Sequence, residues 1–342
     1  MSHVTSISAN FGLADAMSST KEERELVKRL NSGLQRIEKS LETNLHFGDA
    51  HTDTIARYLF EAGGKRVRPL LALITAEYGD PSCDNIVMGA QVLELIHLAT
   101  LYHDDVMDDA DLRRGVPTAH VVWDNSVAII TGDLLLARAS SLASTLGDDM
   151  VRLHAATFER LCLGQLHETT GPQKGEDAIA HYLQVLADKT GSLIASSAVV
   201  GLMTSGAPRE FLEPLREYGE KVGVAFQIID DVLDLDGGET GKEKGNDVRH
   251  GVATLPILFA RAATDAESVS LVERIDAAIA ANDDETFAGL IDELRASRHT
   301  AETIAFARRW ATEAVAALDI LPEGLPKQSL ARFASRVIDR TN

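Results

Sequence analysis

Hydrophobic side chains recur every three or four positions along most of the chain, which is the spacing of an amphipathic helix. The first run has five such positions, and a capping-box pattern formed by Thr20 and Glu23 stands before it. These positions are Val27, Leu30, Leu34, Ile37 and Leu41. Alternation with a period of two, which indicates a strand, is nearly absent. The pattern therefore predicts an all-α protein.

Further periodic runs predict helices along the rest of the chain. They cover residues 52–62, a segment opened by Pro69, 85 to about 109, a segment after Asp133, 177–189, about 211–235, and much of the last 80 residues. No repeat of solenoid length and no Pro/Gly-rich linker divides them. The chain therefore predicts one helical domain over 20–342, preceded by a loose, Ser/Ala-rich segment over 1–19.

Composition narrows the classes of function. The 342 residues include 33 Lys+Arg and 52 Asp+Glu, which gives a net charge of −19. Such an acidic chain is a poor match for nucleic acid or for a polybasic membrane anchor. Two cysteines cannot build a disulfide framework, and residues 1–17 lack the basic start of a secretory signal, so we expect a cytoplasmic location. The uncharged stretch 190–208 is interrupted by glycines and serines, and we expect no transmembrane segment.

Two aspartate clusters end apolar helical runs. One contains Asp104, Asp105 and Asp108, and the other contains Asp230, Asp231 and Asp234. Positions four apart on a helix share a face, so like charges repel there, and acid at a helix C-terminus also opposes the macrodipole.

A hard divalent cation removes this repulsion, and Mg²⁺ binds one or two carboxylates together with phosphate oxygens. The alternative without a metal is that both clusters are acidic helix ends exposed to solvent. That alternative does not explain why the same spacing occurs twice. We therefore expect two facing pairs of carboxylates that hold several ions and one diphosphate.

Basic residues stand close to both clusters. Gly63-Gly64 precedes Lys65, Arg66 and Arg68, a glycine pair followed by cations that suits a phosphate. Arg113-Arg114 follows the first acidic cluster and Lys242 follows the second. Neither the Gly63-Gly64 segment nor Gly241-Lys242 has the glycine spacing of a P-loop. His97 lies seven residues before Asp104 and so shares its face of the helix.

Together these segments resemble the trans-isoprenyl diphosphate synthases, also called polyprenyl synthetases. The motifs that carry the resemblance are GGKRVRPLL, LYHDDVMDDADLRRG, KTGSL, and FQIIDDVLD with GKEKGND after it. They occur in order over roughly residues 50–260. The resemblance implies an antiparallel bundle of the isoprenoid synthase fold around a deep central cavity, a homodimer, and Mg²⁺-dependent head-to-tail addition of isopentenyl diphosphate to an allylic diphosphate.

The resemblance also assigns roles to the motif residues. It gives Mg²⁺ binding to Asp104, Asp108 and Asp230. It gives Asp105 and Asp234 contact with the metal through water or through its ligands, and it makes Asp231 a further member of the second metal motif. It gives the allylic diphosphate to Arg113, Lys189 and Lys242, and isopentenyl diphosphate to Gly64, Lys65, Arg68, His97 and Arg114. Thr190 and Gln227 are expected near the developing carbocation. Some members have a lysine near the position of Val252 that contacts the allylic diphosphate, whereas this chain has valine there.

Small residues before the first cluster bear on product length. Thr100 and Ala99 lie four and five residues before Asp104, and Ile96 lies deeper. Short-chain members often have a bulky aromatic there as a floor. We therefore expect a long all-trans product, such as the side chain of a respiratory quinone, made from farnesyl or geranylgeranyl diphosphate and passed to membrane enzymes. A C15–C20 product is the alternative.

Three other classes fit less well. A terpene cyclase has no need of the residues assigned to isopentenyl diphosphate, and its second metal motif is usually of an Asn/Ser/Glu type. A non-catalytic partner subunit typically loses the aspartates that are all present here. A structural metal-binding bundle does not account for the basic segments after both clusters.

Replacing Ala99 with phenylalanine tests the tunnel assignment. The substitution Ala99→Phe is expected to shorten the product, because the ring would block the path of the growing chain. Chromatography of the dephosphorylated products measures their length, and an unchanged length would remove Ala99 from the tunnel wall.

Overall fold

The computed structural model describes residues 20–237 and 244–339, and helices supply nearly all the regular structure of this part. The first helices are α1 (Lys21–Asn44), α2 (Ala50–Glu61), α3 (Val67–Ala76), α4 (Asn85–Met107), α5 (Ala119–Val122), α6 (Asn125–Thr145), α7 (Asp148–Thr170) and α8 (Ala178–Leu186). The others are α9 (Ser192–Ser205), α10 (Leu212–Asp234), α11 (Asn246–Arg249), α12 (Leu255–Ala262), α13 (Ala266–Ala281), α14 (Asp284–Ala296), α15 (Arg298–Ala317) and α16 (Leu325–Asp339). A π-helical turn (Ala187–Gly191) joins α8 to α9, and a 3₁₀ turn (Arg209–Phe211) precedes α10.

The all-α prediction is confirmed. Two antiparallel strands of two residues each, β1 (Leu112–Arg113) and β2 (Val116–Pro117), form a small hairpin after α4. The capping box at the start of α1 is present, with the Thr20 hydroxyl accepting from the Glu23 amide at 3.1 Å and the Glu23 carboxylate accepting from the Thr20 amide at 2.8 Å. The loose segment predicted over residues 1–19 and the residue Lys242, predicted to bind the allylic diphosphate, lie outside the described residues.

The chain divides into two compact units. The first contains residues 1–159, 193–219 and 317–333, and the second contains 160–192, 220–316 and 334–342. The single-domain organisation inferred from the sequence stays a prediction.

In the first unit, α4 is a central helix that packs against α1, α3 and α6. Its side chains are buried on several faces, including Leu93, Leu95 and Ile96. A helix surrounded by other helices is apolar all round, which explains the long unpatterned apolar run before the first aspartate cluster. The helix therefore carries the cluster on a rigid support.

Glycines allow close approach of helices in this unit. A Cβ atom on Gly201 of α9 would lie 2.0 Å from the carbonyl oxygen of Ala72 in α3, which is backbone, so only glycine fits there. A Cβ atom on Gly132 of α6 would lie 2.2 Å from the ring of His103, which directly precedes Asp104, so a larger residue at Gly132 would displace that ring.

The second unit has its own hydrophobic core around α12, α13 and α14. Ile275, Phe287, Ile291 and Leu294 are almost fully buried there, and Leu235, directly after α10, packs into the same cluster. The end of α10, which carries the second aspartate cluster, is thereby attached to the core of its unit.

Within residues 20–237 and 244–339, three segments are long and apolar enough to cross a membrane by length and composition alone: 85–107, 125–145 and 178–205. In the first and third, 72% and 89% of the apolar window is buried inside the fold, whereas only 33% is buried in α6. The expected absence of a transmembrane segment stays a prediction, and the exposed apolar surface of α6 is a separate feature.

Candidate active site

The first aspartate cluster lies at the C-terminal end of α4. Asp108 is the C-cap residue, and its amide donates to the carbonyl oxygen of Asp104 at 2.8 Å. Asp104 is half-buried and Asp108 is exposed, whereas Asp105 is completely buried. The first and last carboxylates of the cluster are thus accessible to a ligand, and the middle one points inward.

Asp105 is held by an arginine of the following hairpin. The Arg113 Nε donates to Asp105 Oδ1 at 2.6 Å, while Oδ2 is buried without a hydrogen-bond partner in the described part of the chain. Burial raises the pKa of Asp105, and the charge and hydrogen bond of Arg113 oppose that rise. The ion pair therefore joins the end of α4 to the basic hairpin.

The hairpin turn separates the two arginines. Arg113 pairs with Val116 in the strand register, so Arg114 and Gly115 are the two turn residues, with φ angles of 55° and 79°. Positive φ at both positions is the requirement of a two-residue turn of the I′ type. Arg114 consequently points away from Arg113 and donates to the carbonyl oxygens of Leu59, at 2.7 Å, and Gly63.

The Gly63-Gly64 segment links α2 to α3 with an unusual backbone. Both glycines have positive φ, at 95° and 154°, and a Cβ atom on Gly64 would lie 2.7 Å from an Arg66 guanidinium nitrogen. Arg66 itself is left-handed, with φ of 47°. This conformation leaves Lys65 exposed at the tip of the segment.

Arg66 was grouped with the phosphate-binding cations in the sequence, but the structure turns it inward. Its guanidinium contacts Glu38 and, at 3.1 Å, the carboxylate of Glu94, which is 2% exposed. It also lies 5.0 Å from the centre of the Phe60 ring. Arg66 therefore supports the segment instead of presenting a free charge. A glutamate within the apolar run of α4 was the signal in the sequence that could have revealed this pair.

Arg68 and His97 lie in the same strongly basic region. Burial lowers the pKa of Arg68 to about 10, with Glu94 opposing and Arg114 adding to the effect, and Arg68 Nε is buried without a hydrogen-bond partner among the described residues. Burial and the charges of Arg68 and Arg114 hold the pKa of His97 well below its usual value. A neutral histidine among closely spaced arginines suits an anionic ligand.

In the second aspartate cluster the middle residue, Asp231, also points inward, but its hydrogen-bond partners are neutral side chains. Asp231 Oδ2 accepts from the Tyr182 hydroxyl at 2.6 Å, and Oδ1 accepts from Gln227 Nε2 at 3.1 Å. Burial raises the pKa of Asp231 to about 7, against the effect of these two donors. Asp234 accepts from the amide of Asp247 at 3.1 Å, which connects the cluster to α11.

The π turn between α8 and α9 contains Lys189 and Thr190, to which the sequence assigned roles. The Thr190 hydroxyl donates to Gln227 Oε1 at 3.3 Å. Thr190 and Gln227, both predicted near the carbocation, are therefore neighbours. Lys189 forms an ion pair with Glu168 of α7. Tyr182 and Glu168 were not identified from the sequence, because nothing in the motifs marks them.

The predicted chain-length residues lie on α4 within the first unit. Ile96 and Ala99 are completely buried, and the half-buried Thr100 donates its hydroxyl to the carbonyl oxygen of His97 at 2.9 Å. Val252 is 42% exposed. No bulky aromatic occupies the positions that the sequence marked.

The accessible carboxylates fit Mg²⁺ by their chemistry. No group of three or more His, Cys, Asp or Glu residues arranged to hold a metal occurs in residues 20–237 and 244–339. A complete protein cage is therefore not formed there, which is the usual situation for Mg²⁺, since it keeps waters and binds substrate phosphates through one or two carboxylates. Asp104 with Asp108, and Asp230 with Asp234, supply such pairs of hard oxygen donors.

Comparisons with known proteins show the family of the chain. The family model for polyprenyl synthetase matches residues 49–292. The nonaprenyl diphosphate synthase of Mycobacterium tuberculosis is 40% identical over 314 residues, which is 91% of this chain and 93% of that protein. Component 2 of the heptaprenyl diphosphate synthase of Geobacillus stearothermophilus is 36% identical over 86% of this chain and 91% of its own length. The chain belongs to the polyprenyl synthetase family.

Solved structures give the same fold. A decaprenyl diphosphate synthase from Rhodobacter capsulatus has a TM-score of 0.83 and 31% identity, with 93% of this chain and 99% of that chain covered. A geranylgeranyl pyrophosphate synthase from Corynebacterium glutamicum, in complex with calcium and isoprenyl diphosphate, has a TM-score of 0.80 and 39% identity, with 92% and 97% covered. The isoprenoid synthase fold predicted from the motifs is confirmed.

Removing the Tyr182 hydroxyl tests the support of Asp231. In the substitution Tyr182→Phe a buried carboxyl group loses its short hydrogen bond, and we expect a loss of roughly 1–3 kcal/mol in the free energy of unfolding. Urea denaturation followed by circular dichroism measures the change.

Tyr58→Phe is the matched control, because the half-buried Tyr58 hydroxyl donates to the carbonyl oxygen of Pro117 at 2.8 Å and water can replace it. Equal losses in the two variants would contradict the special role of the Tyr182 bond.

Proposed function

We propose that this chain is a magnesium-dependent prenyltransferase that adds isopentenyl diphosphate repeatedly, head to tail, to an allylic diphosphate. Each addition releases diphosphate, and the product is an all-trans polyprenyl diphosphate. The observation that carries the proposal is the Asp105–Arg113 ion pair, which joins a carboxylate cluster suited to cations to a hairpin of arginines suited to phosphate. Membership of the polyprenyl synthetase family supports the same reaction.

Isopentenyl diphosphate is assigned to the basic region of the first unit. Lys65, Arg68 and Arg114 supply positive charge, and neutral His97 supplies a hydrogen bond without adding to the charge repulsion among the arginines. The buried Arg68 Nε that has no partner in the described residues gains one when a diphosphate binds. The Gly64 backbone allows close approach of the ligand.

The chemical step breaks the bond between the allylic carbon and its diphosphate oxygen. The double bond of isopentenyl diphosphate attacks the resulting allylic cation, and a proton then leaves the new cation. By family precedent the departing diphosphate accepts that proton. Atoms balance with no protein nucleophile, which agrees with the absence of a Ser/His/Asp or Cys/His motif in the sequence.

Charge stabilisation of the departing diphosphate is the main catalytic effect. Bound Mg²⁺ would be held by Asp104 and Asp108 and by Asp230 and Asp234, and it would neutralise the charge that develops on the leaving group. One unit charge pair at about 4 Å is worth roughly 4 kcal/mol at an effective dielectric near 20. Lys189 contributes a cation of this kind, and the Thr190 hydroxyl and Gln227 supply dipoles for the allylic cation.

A long product is favoured over a C15–C20 product. Relatives named as nonaprenyl and heptaprenyl diphosphate synthases cover most of this chain, and a decaprenyl diphosphate synthase has the same fold. The small residues Ala99 and Thr100 agree with this choice, since neither provides a bulky floor. A quinone side chain is the proposed use, with farnesyl or geranylgeranyl diphosphate as the primer and a cytoplasmic location.

A homodimer is proposed through the exposed apolar surface of α5 and α6 in the first unit. Val121, Val122, Ile129 and Ile130 are 43–66% exposed, although α5 and α6 otherwise pack together. Exposed apolar patches of this type mark protein interfaces. A second copy of the chain, as the family resemblance implies, is the proposed occupant.

Loss of either accessible aspartate tests the reaction. Asp104→Ala and Asp230→Ala are each expected to reduce turnover by at least about 10³-fold, because charge stabilisation of the leaving group is lost. Product formation from labelled isopentenyl diphosphate with Mg²⁺ measures this, with circular dichroism as the check of folding. Asp148→Ala, at the exposed start of α7, is the control. Near-normal activity of either test variant would overturn the metal assignment.

A charge placed in the apolar surface tests the dimer. Ile130→Asp is expected to give a monomer, because Ile130 is 66% exposed and its burial against a second copy would then desolvate a carboxylate. Light scattering after gel filtration measures the mass. A dimer that persists in this variant would place the interface elsewhere.

A further inference from the structure

Arg160 of α7 is bound at three points within the second unit. Its Nε donates to Asp188 Oδ1 at 2.6 Å, one terminal nitrogen donates to Glu220 Oε2 at 2.5 Å, and the other donates to the carbonyl oxygen of Ala187 at 3.2 Å. An arginine fork that binds two carboxylates and a backbone oxygen has a fixed geometry. None of the family motifs includes this residue.

Asp188 uses its remaining oxygens in the same network. Its Oδ2 accepts from Gln184 Nε2 at 2.7 Å, and its carbonyl oxygen accepts from the Ser192 hydroxyl at 2.6 Å. The side chain is buried, whereas the next two residues, Lys189 and Thr190, are half-exposed. Asp188 is therefore an internal anchor directly before the two residues assigned to catalysis.

The segment that the network holds is a π turn, not a regular helix. The turn covers Ala187–Gly191 and interrupts what would otherwise be one helix from α8 to α9. Such turns occur frequently at functional sites, and they need support from their surroundings because their geometry is less favourable than that of an α-helix. Hydrogen bonds from Arg160, Gln184 and Ser192 supply this support.

Close packing against α7 and against Glu220 also limits movement of the π turn. A Cβ atom on Gly164 of α7 would lie 2.7 Å from the Lys189 amide nitrogen, so the backbones of α7 and the turn are in contact. A Cβ atom on Gly191 would lie 3.1 Å from the carbonyl oxygen of Glu220. The turn therefore has little space in which to shift, and Arg160 fixes it to α7 and to Glu220 of α10.

We propose that Arg160 and Asp188 are positioning residues that hold the π turn so that Lys189 and Thr190 are presented in the geometry needed for the reaction. The proposal rests on the prenyl transfer function given above. Neither residue contacts substrate in this account. They act by fixing the backbone from which Lys189 extends and by keeping the Thr190 hydroxyl within 3.3 Å of Gln227.

The effect on the reaction follows from the sensitivity of catalysis to position. A shift of about 1 Å in a catalytic group can reduce the rate by roughly 10²-fold. Isopentenyl diphosphate is assigned to Lys65, Arg68 and His97 of the first unit, whereas the hydrogen-bond partners named above for Arg160 and Asp188 belong to the second unit. A loosened turn should therefore lower kcat and leave the KM for isopentenyl diphosphate nearly unchanged.

Three variants of the full-length chain test this expectation: Arg160→Gln, Arg160→Lys and Asp188→Asn. Steady-state kinetics with Mg²⁺, farnesyl diphosphate and isopentenyl diphosphate give kcat and both KM values. We expect Arg160→Gln to lower kcat by roughly 10²-fold with the KM for isopentenyl diphosphate within twofold. Arg160→Lys should recover part of the loss, since it retains the charge but not the three-point fork.

Asp188→Asn is the test variant that is least expected to unfold, because it preserves the shape of the side chain and removes only its charge. Arg274→Gln is the matched control, since Arg274 binds Glu293 through both terminal nitrogens, at 2.8 and 2.5 Å, on the surface of the same unit. The control should retain wild-type kcat. Thermal unfolding of each variant shows whether the fold is intact.

The outcomes distinguish a positioning role from no role in catalysis and from a role in stability alone. A reduced kcat in folded Arg160→Gln and Asp188→Asn, with partial recovery in Arg160→Lys, supports the proposal. Wild-type kcat in these variants overturns it, as does a loss that affects kcat and the KM for isopentenyl diphosphate alike and follows the loss of thermal stability. If the unaltered chain makes no prenyl product, the proposed function fails first, and this inference fails with it.

Discussion

The burial of one carboxylate within each aspartate cluster is the constraint on which the rest of the site depends. Three acidic side chains at the end of a helix repel each other, and this repulsion is reduced when one of them turns into the protein and receives strong donors. Asp105 receives Arg113, and Asp231 receives Tyr182 and Gln227. The other two carboxylates of each cluster are half-buried or exposed and spaced by one helical turn, and they are the proposed ligands of a cation.

The buried carboxylate is stabilised by different donors in the two clusters. The first uses a charged partner from the hairpin, which also orients Arg114 toward Gly63 and so joins the acidic and basic parts of the first unit. The second uses neutral donors, and Gln227 is shared between Asp231 and Thr190. The neutral donors connect the end of α10, for which metal binding is proposed, to the π turn, so the inward carboxylate and the predicted carbocation site depend on the same side chain.

Much of this arrangement was predictable from the sequence because helical periodicity and the aspartate spacing are local signals. The approximate bounds of α4 and α10 and the spacing of the aspartate pairs follow from such patterns, whereas the grouping of Arg68, His97 and Arg114 is what the family resemblance implies. Arg66 could not be distinguished from its neighbours, because its inward turn depends on a left-handed backbone and on Glu38 and Glu94, which are distant in sequence. Tyr182 and Arg160 were missed for the same reason, since only packing of separate helices gives them partners. The roles in metal and substrate binding stay predictions.

The central claim is that this chain extends an allylic diphosphate by many isoprene units, and product length tests it most directly. The purified protein would be incubated with Mg²⁺, labelled isopentenyl diphosphate and farnesyl diphosphate, and the dephosphorylated products would be separated by chromatography. We expect a ladder that ends in a long all-trans polyprenol. A single C20 product would contradict the long-chain assignment, and the absence of any product from folded protein would contradict the assignment as a synthase.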